Sequence, residues 1–251
     1  MRKPLVAGLP ILGLLGAWKL LSALGVYSAV LLPSPEQVAL VFWRDWGEIL
    51  KHGGASLLRV TLGVGGAFLT AVPLGILIGR YRLLDDLTDW VVQMFRSFPP
   101  ISLIPLVILF FGIGDKPALV LIYVAAFWTL LLNTIFGVKN VERTLLKVAR
   151  VANASEGLIF RDILLPNALP SIITGLRLAL GAGWLTVVTA EMVAVKSGLG
   201  YLIMYAQVVF KAELIVAGII TIGIIGLLFD QAIGAIRRRL FRWQEGLVLD
   251  I

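Results

Sequence analysis

The chain contains no cysteine and only one histidine, His52, among its 251 residues. The lack of cysteine excludes disulfides, thiolate metal sites and cysteine nucleophiles. A lone histidine cannot share a metal with a second one, and the segment KHGGA predicts that His52 is a solvated residue in a turn. The sequence therefore predicts no metal site and no catalytic centre.

Charge is also scarce. Charged residues make up 15% of the chain and hydrophobic residues 59%, with a mean hydropathy of +0.95, whereas soluble domains are about one quarter charged. This composition indicates an all-α polytopic membrane protein. The chain is too short to hold five or six spans and a large soluble domain as well, so residues 1–251 are predicted to form a single transmembrane domain. No Gly-x-x-x-x-Gly-Lys-Ser/Thr loop occurs, which excludes an ATPase of the P-loop type.

The net charge of +7 is distributed as short basic clusters that flank apolar runs. A nucleic-acid surface would need one continuous basic face, so nucleic acid is not expected as a partner. Positive-inside topology explains the clusters better, with membrane lipid next to them. Arg2 and Lys3 at one end, and Arg237 to Arg242 at the other, predict that both termini are cytoplasmic.

Apolar runs predict about six transmembrane helices. They cover residues 4–27, 55–79, about 100–114, 118–138, the run after Pro170, and about 214–236. The first run is expected to be a retained span, although Ala23, Gly25 and Ala29 leave signal-peptide cleavage open. The glycines of the second run are expected to allow close helix packing.

Shorter segments connect these spans. Ser34 is predicted to cap a surface helix that begins at Pro35, and residues 80–97 are predicted to form an in-plane amphipathic helix. Pro105 is expected to kink the third span. Asp115 and Lys116 are expected to be solvated charges in a tight turn.

The stretch 141–192 passes from a basic amphipathic segment to an apolar span. Within it, Lys147, Val148 and Ala149 precede Asn153 at a fixed spacing, and the tail Ile163, Leu165 and Pro166 follows. This spacing resembles the EAA loop of bacterial ABC-importer permeases, written E-A-A, three residues, G, nine residues, I-x-L-P. The last alanine and the tail match. Asn153 stands at the glycine position, and asparagine is the residue that best tolerates a left-handed backbone after glycine.

The resemblance continues outside the loop. The segments LLPSPEQV, SLLRVTLGVGGAFLTAVPLGILIGR, RSFPPISLIPLVILFFGIGD and LPSIITGLRLALGAGWLTVVTAEM are similar to the nitrate, sulfonate and taurine branch of these permeases. The resemblance implies a type I ABC-importer architecture, a second copy of the permease, two cytoplasmic ATPase subunits that bind ATP and Mg²⁺, and an extracytoplasmic solute-binding protein. It implies a bacterial inner membrane and an anionic cargo, with aliphatic sulfonate or taurine ahead of nitrate or bicarbonate.

The resemblance also implies that the loop of about 140–169 holds a coupling helix that docks on the ATPase. Leu158, Ile159 and Phe160 are expected to be its apolar contacts. The residues expected to take part in coupling are Lys147, Ala149, Arg150, Asn153, Ala154, Ser155, Glu156, Leu158, Phe160, Ile163, Leu165 and Pro166.

Three residues of the fifth span are candidates for the translocation path: Thr186, Thr189 and Glu191. A buried carboxylate is costly unless it faces a cavity or a partner, and an interfacial position is the alternative for Glu191. Because a carboxylate would repel an anionic cargo, Glu191 is expected to pack or pair instead of binding a sulfonate. Asp230 is expected to pair with arginines near it.

Two functions of a different class remain open at this point. An intramembrane enzyme would need clustered catalytic residues inside the spans, and the sequence offers only isolated Glu191 and Asp230. A passive channel would conduct without nucleotide. The loop itself could also be an ordinary amphipathic hairpin.

Overall fold

A computed structural model describes residues 3–25, 28 and 31–240, and every regular element in that part of the chain is helical. Arg2, Ala29 and Arg242, which entered the predictions of topology and cleavage, lie outside the described residues. The helices are α1 Lys3–Ala23, α2 Pro35–Arg44, α3 Trp46–Arg80, α4 Arg82–Arg96, a 3-10 turn Pro100–Leu103, α5 Ile104–Phe111, α6 Asp115–Lys139, α7 Arg143–Val151, α8 Glu156–Leu158, a π turn Ile159–Leu164, α9 Leu165–Ala194, α10 Leu199–Val208 and α11 Ala212–Leu240.

Four helices in the described part are long and apolar enough to cross a membrane: α3, α6, the continuous helix Glu156–Ala194, and α11. Helix α4 and the segment Pro100–Phe111, which are bent by 84°, form a fifth crossing if they count as one span. Helix α4 then enters the membrane instead of lying in its plane, as was expected for residues 80–97. The all-helical membrane fold is confirmed, but the described residues hold four or five candidate spans instead of about six. The predicted first span is not among them, because only Leu12–Ala23 of α1 counts as a shorter apolar helix.

The third predicted span differs most from expectation. Residues 100–114 hold a 3-10 turn and an α5 of only eight residues. Pro105 lies in the first turn of α5, where a backbone N–H would have no partner within the helix, so it does not kink a span. The sharp bend instead falls at the residues that separate α4 from Pro100.

Helices α3, α6 and α9 form the centre of the bundle. A side chain at Gly63 or Gly75 could not be accommodated, because a Cβ there would lie 2.6 Å from Ile122 and 2.7 Å from Thr134 of α6. Gly65, on the same helix, has nothing within 4 Å. Glycine packing of the second span is therefore confirmed, and it places the backbones of α3 and α6 in close contact.

Helix α2 begins with the predicted cap. The Ser34 hydroxyl accepts from the Gln37 backbone N–H at 3.3 Å, and the Gln37 side chain accepts from the Ser34 N–H at 2.8 Å. Lys19 of α1 pairs with Glu36 of α2. The hydrogen bond from that ammonium lowers the pKa of Glu36 to about 2.

Candidate functional site

The loop of 140–169 folds as two helices joined by a left-handed turn. Helix α7 ends at Val151, and Asn153 has φ +56°, as its position in the EAA-like spacing predicted. The Ala154 N–H then donates to the Ala149 carbonyl at 3.0 Å and closes the turn. Ala149 is buried here, which suits a small residue at the end of a packed helix.

The second half of the loop belongs to the same helix as the following span. The Ser155 hydroxyl accepts from the Leu158 N–H at 3.3 Å and caps α8. From Glu156 the helix runs 39 residues to Ala194, through the π turn and through Leu165 and Pro166. Arg80 at the end of α3 pairs with Glu156 and holds the helix start beside the bundle.

The apolar surface of the loop is only partly the one expected. Leu158 is 51% exposed, and Val148 and Val151 of α7 are 62% and 84% exposed. Ile159, expected on the surface, is buried with 3% exposure at the start of the π turn. Phe160 and Ile163 are half-buried against Val138, Leu164 and Ile172. The charged Lys147, Arg150, Arg161 and Asp162 are exposed.

A second cluster of functional interest lies at the other end of α9, where the Glu191 carboxylate is fully buried. It accepts from Arg59 Nη1 at 2.6 Å, from the Ser56 hydroxyl at 2.8 Å and from the Gly200 N–H at 3.1 Å. The Ser56 oxygen in turn accepts from the Leu199 N–H at 2.9 Å. We call Ser56, Arg59, Glu191 and the turn 197–200 the buried ion cluster.

Arg59 also donates hydrogen bonds to three groups of two other residues, Asp115 and Ser197. Its Nε donates to Asp115 Oδ1 at 2.8 Å, and its Nη1 and Nη2 donate to the Ser197 carbonyl at 2.9 Å and hydroxyl at 2.5 Å. Asp115 and Lys116 are exposed, as predicted, and the Asp115 side chain is 66% accessible, but both lie in the first turn of α6 and Asp115 pairs with Arg59. The cluster thus connects α3, α6, α9 and α10.

His52 was also misplaced by sequence reasoning. It lies inside α3 and is 9% exposed, and its Nδ1 accepts from the Gly198 N–H at 3.0 Å. Its ring stacks on Tyr201 at 5.8 Å. Among the described residues no group of three or more His, Asp or Glu is arranged to hold a metal ion.

The remaining predicted residues are partnered in simple ways. Thr186 and Thr189 donate to carbonyls one turn earlier in their own helix, at 2.8 and 3.3 Å. Asp230 accepts from Arg177 Nε and Nη2 at 2.6 and 2.8 Å, so the expected arginine pairing is present. The expectation that Glu191 pairs instead of facing an anion also agrees with its contacts.

Sequence reasoning missed Arg59 as the partner of Glu191. The signal was available, because an arginine in SLLRVTLGV and a glutamate in TVVTAEMVAV are opposite charges inside two apolar runs. Ionisable residues within spans usually pair with one another. The two are 132 positions apart, so no local spacing connects them.

Comparison with known proteins supplies the family. Residues 71–242 match the model of the binding-protein-dependent transport system inner membrane component. A probable ABC transporter permease protein of Brucella abortus is 40% identical over 92% of both chains. The putative aliphatic sulfonates transport permease SsuC of Escherichia coli K12 is 37% identical over 92% of this chain and 89% of its own length. The taurine transport system permease TauC of the same strain is 34% identical over 92% and 86%.

Solved structures agree on the fold. A chain of the MetNI methionine ABC transporter, in an inward facing conformation, aligns with a TM-score of 0.66 at 21% identity, over 80% of this chain and 97% of that one. The chain therefore belongs to the binding-protein-dependent transport system inner membrane components, and it is a non-catalytic permease subunit of an ABC importer.

Proposed function

We propose that this chain forms the alternating-access path of an importer for a small organic anion, namely an aliphatic sulfonate or taurine. The observation that carries the proposal is the identity of 37% and 34%, over 92% of the chain, to permeases named for aliphatic sulfonates and taurine. Helices packed closely through glycine can move together as one rigid body relative to a second copy, which suits alternating access.

The proposal includes the rest of the assembly. Two copies of the permease, each a single transmembrane domain of residues 1–251, form a homodimer in a bacterial inner membrane. A solute-binding protein delivers the anion from outside. Two cytoplasmic ATPase subunits bind ATP and Mg²⁺, and both permease termini lie on their side.

In this arrangement the 140–169 loop contacts the ATPase. Val148, Val151 and Leu158 provide exposed apolar surface, with Lys147 and Arg150 as charged rim. Desolvated apolar contacts at the centre of an interface carry most of its binding energy, and rim charges set orientation. Asn153 sets the angle between the two helices that bear these contacts.

The loop assignment is tested by replacing Leu158 with Asp and, as a matched control, with Met. We expect the Asp variant to fold but to lose co-purification with the ATPase, while the Met variant retains it. An Asp variant that still binds the ATPase and pumps at the wild-type rate would contradict the docking surface.

The cargo is tested in proteoliposomes that contain the permease, its ATPase and its binding protein. We expect uptake of radiolabelled taurine or an alkyl sulfonate that requires ATP. Uptake of nitrate or bicarbonate alone would overturn the sulfonate assignment, and uptake that continues without ATP would indicate a passive channel.

A further inference from the structure

A cavity of about 310 Å³ lies between the α4–α5 bend, α6 and α9. Its volume is at the lower end of the range found for small-molecule sites. Arg96 is the charged residue among the described residues that line it, and none of those residues is acidic. The remaining lining includes Phe98, Trp128, Thr129 and Thr186.

Arg96 lies at an unusual depth for an arginine. It lines the same cavity as Thr129, and the preceding residue Phe95 stacks on Trp128 of α6. Thr129 is about 15 Å from Lys139 and about 21 Å from Asp115 at 1.5 Å per residue along α6. The cavity therefore lies near the middle of a span. A charged side chain at that depth costs about 3 kcal/mol unless it faces a partner or a water-filled space.

Within the described part of the chain, no acidic side chain lies within 4 Å of the Arg96 guanidinium, in contrast to Arg59, Arg80 and Arg177, which all have carboxylate partners. Arg96 also lines a second cavity of about 440 Å³ that continues along α6 to Lys139, and the lining of this second cavity includes Asp85, which pairs with Lys139, and Asp89. Arg96 thus stands where two cavities meet, with its charge available to a solute.

The walls match the two parts of an alkyl sulfonate. Guanidinium groups bind oxyanions through two parallel hydrogen bonds. Phe98 and Trp128 provide apolar surface for the carbon chain, and Phe95 stacks on Trp128 at 5.3 Å and fixes the indole. Thr129 and Thr186 add polarity without negative charge.

We propose that this cavity is an anion subsite within the permease, in which Arg96 binds the sulfonate group of the solute during passage. The inference rests on the proposed sulfonate importer and adds a residue that selects the cargo inside the membrane. Selection would then occur in the permease as well as in the binding protein.

The test uses the complete transporter in proteoliposomes and compares Arg96→Gln, Arg96→Lys and the control Arg82→Gln. Arg82 lies on the same helix with its side chain 94% exposed. Loss of a charge-assisted bidentate contact corresponds to at least about a tenfold loss of taurine uptake in Arg96→Gln. Arg96→Lys keeps the charge and should lose less, and Arg82→Gln should match wild type.

ATPase activity stimulated by the loaded binding protein is measured for each variant. Retained stimulation with lost uptake supports the subsite. Wild-type uptake in Arg96→Gln overturns it, while failure of the wild-type transporter to import any sulfonate overturns the proposed function instead. If Arg96→Gln does not assemble, Ala182→Leu, which narrows the same cavity, should lower uptake about tenfold; unchanged uptake there overturns the subsite.

Discussion

The buried ion cluster and the 140–169 loop use the same chemistry in opposite settings. Arg59 pairs with a Glu191 that is fully buried, whereas Arg80 pairs with a Glu156 whose side chain is 68% exposed. Removing one partner of a buried pair leaves an uncompensated charge and costs several kcal/mol, while an exposed pair is worth about 0 to 1 kcal/mol. The buried ion cluster therefore holds helices together, whereas the 140–169 loop keeps its surface exposed for a partner.

The strongest test of this contrast is Glu191→Gln. We expect a loss of about 3 kcal/mol in unfolding free energy, the lower end of the range for a broken buried pair, because the amide cannot neutralise the Arg59 guanidinium and only the exposed Asp115 carboxylate still pairs with it. Chemical unfolding in detergent measures the effect. The double variant Arg59→Met with Glu191→Gln should lose less than the sum of the single variants, and an unchanged midpoint for Glu191→Gln would contradict the structural role.

Ser56→Ala should have an intermediate effect. It removes a donor to Glu191 and the acceptor of the Leu199 N–H, both in the buried ion cluster. An unsatisfied buried group costs about 1 to 3 kcal/mol. Thr61→Ala is the control, because the exposed Thr61 hydroxyl donates only to a carbonyl of its own helix; equal losses in both variants would argue against a special role for Ser56.

Asn153→Val tests whether the loop needs the left-handed turn between α7 and α8. A β-branched residue in the left-handed region costs about 1 to 2 kcal/mol, and the strain should fall on the turn between α7 and α8. Protease sensitivity of the loop and ATPase stimulation are the measurements. Asn153→Gly should behave as wild type, and a Val variant that does so as well would show that the left-handed turn is dispensable.

Glu156→Gln should have the smallest effect on stability. It breaks an exposed pair with Arg80, so the unfolding free energy should change by about 1 kcal/mol or less. The same detergent unfolding experiment applies. A loss comparable to that of Glu191→Gln would remove the distinction between the two regions.

Local chemistry was the part that sequence could predict. The Ser34 cap, the glycine contacts of α3 and the left-handed Asn153 each depend on a few adjacent residues or on one residue type. His52 was misplaced because KHGG is typical of a turn, yet α3 continues through it. Packing against Tyr201 and Gly198 decided the outcome there.

Long-range pairing was the part that could not be predicted. Arg59, Asp115 and Glu191 come from three helices, and their meeting depends on how α3, α6 and α9 cross. The prediction of the third span was wrong for a related reason, because hydropathy does not report the 84° bend before Pro100. In the loop, Ile159 is buried whereas Val148 and Val151 of α7 are exposed, and local sequence does not report which apolar residues the bundle covers.

The continuous helix Glu156–Ala194 is longer than a bilayer requires. Its 39 residues extend about 58 Å at 1.5 Å per residue, nearly twice the roughly 30 Å of the hydrocarbon layer. The helix must therefore tilt, or its extra length of about 28 Å must project into water. A protein that binds Leu158 therefore contacts the same helix that carries Glu191 near its other end. No loop lies between the two residues to absorb a displacement.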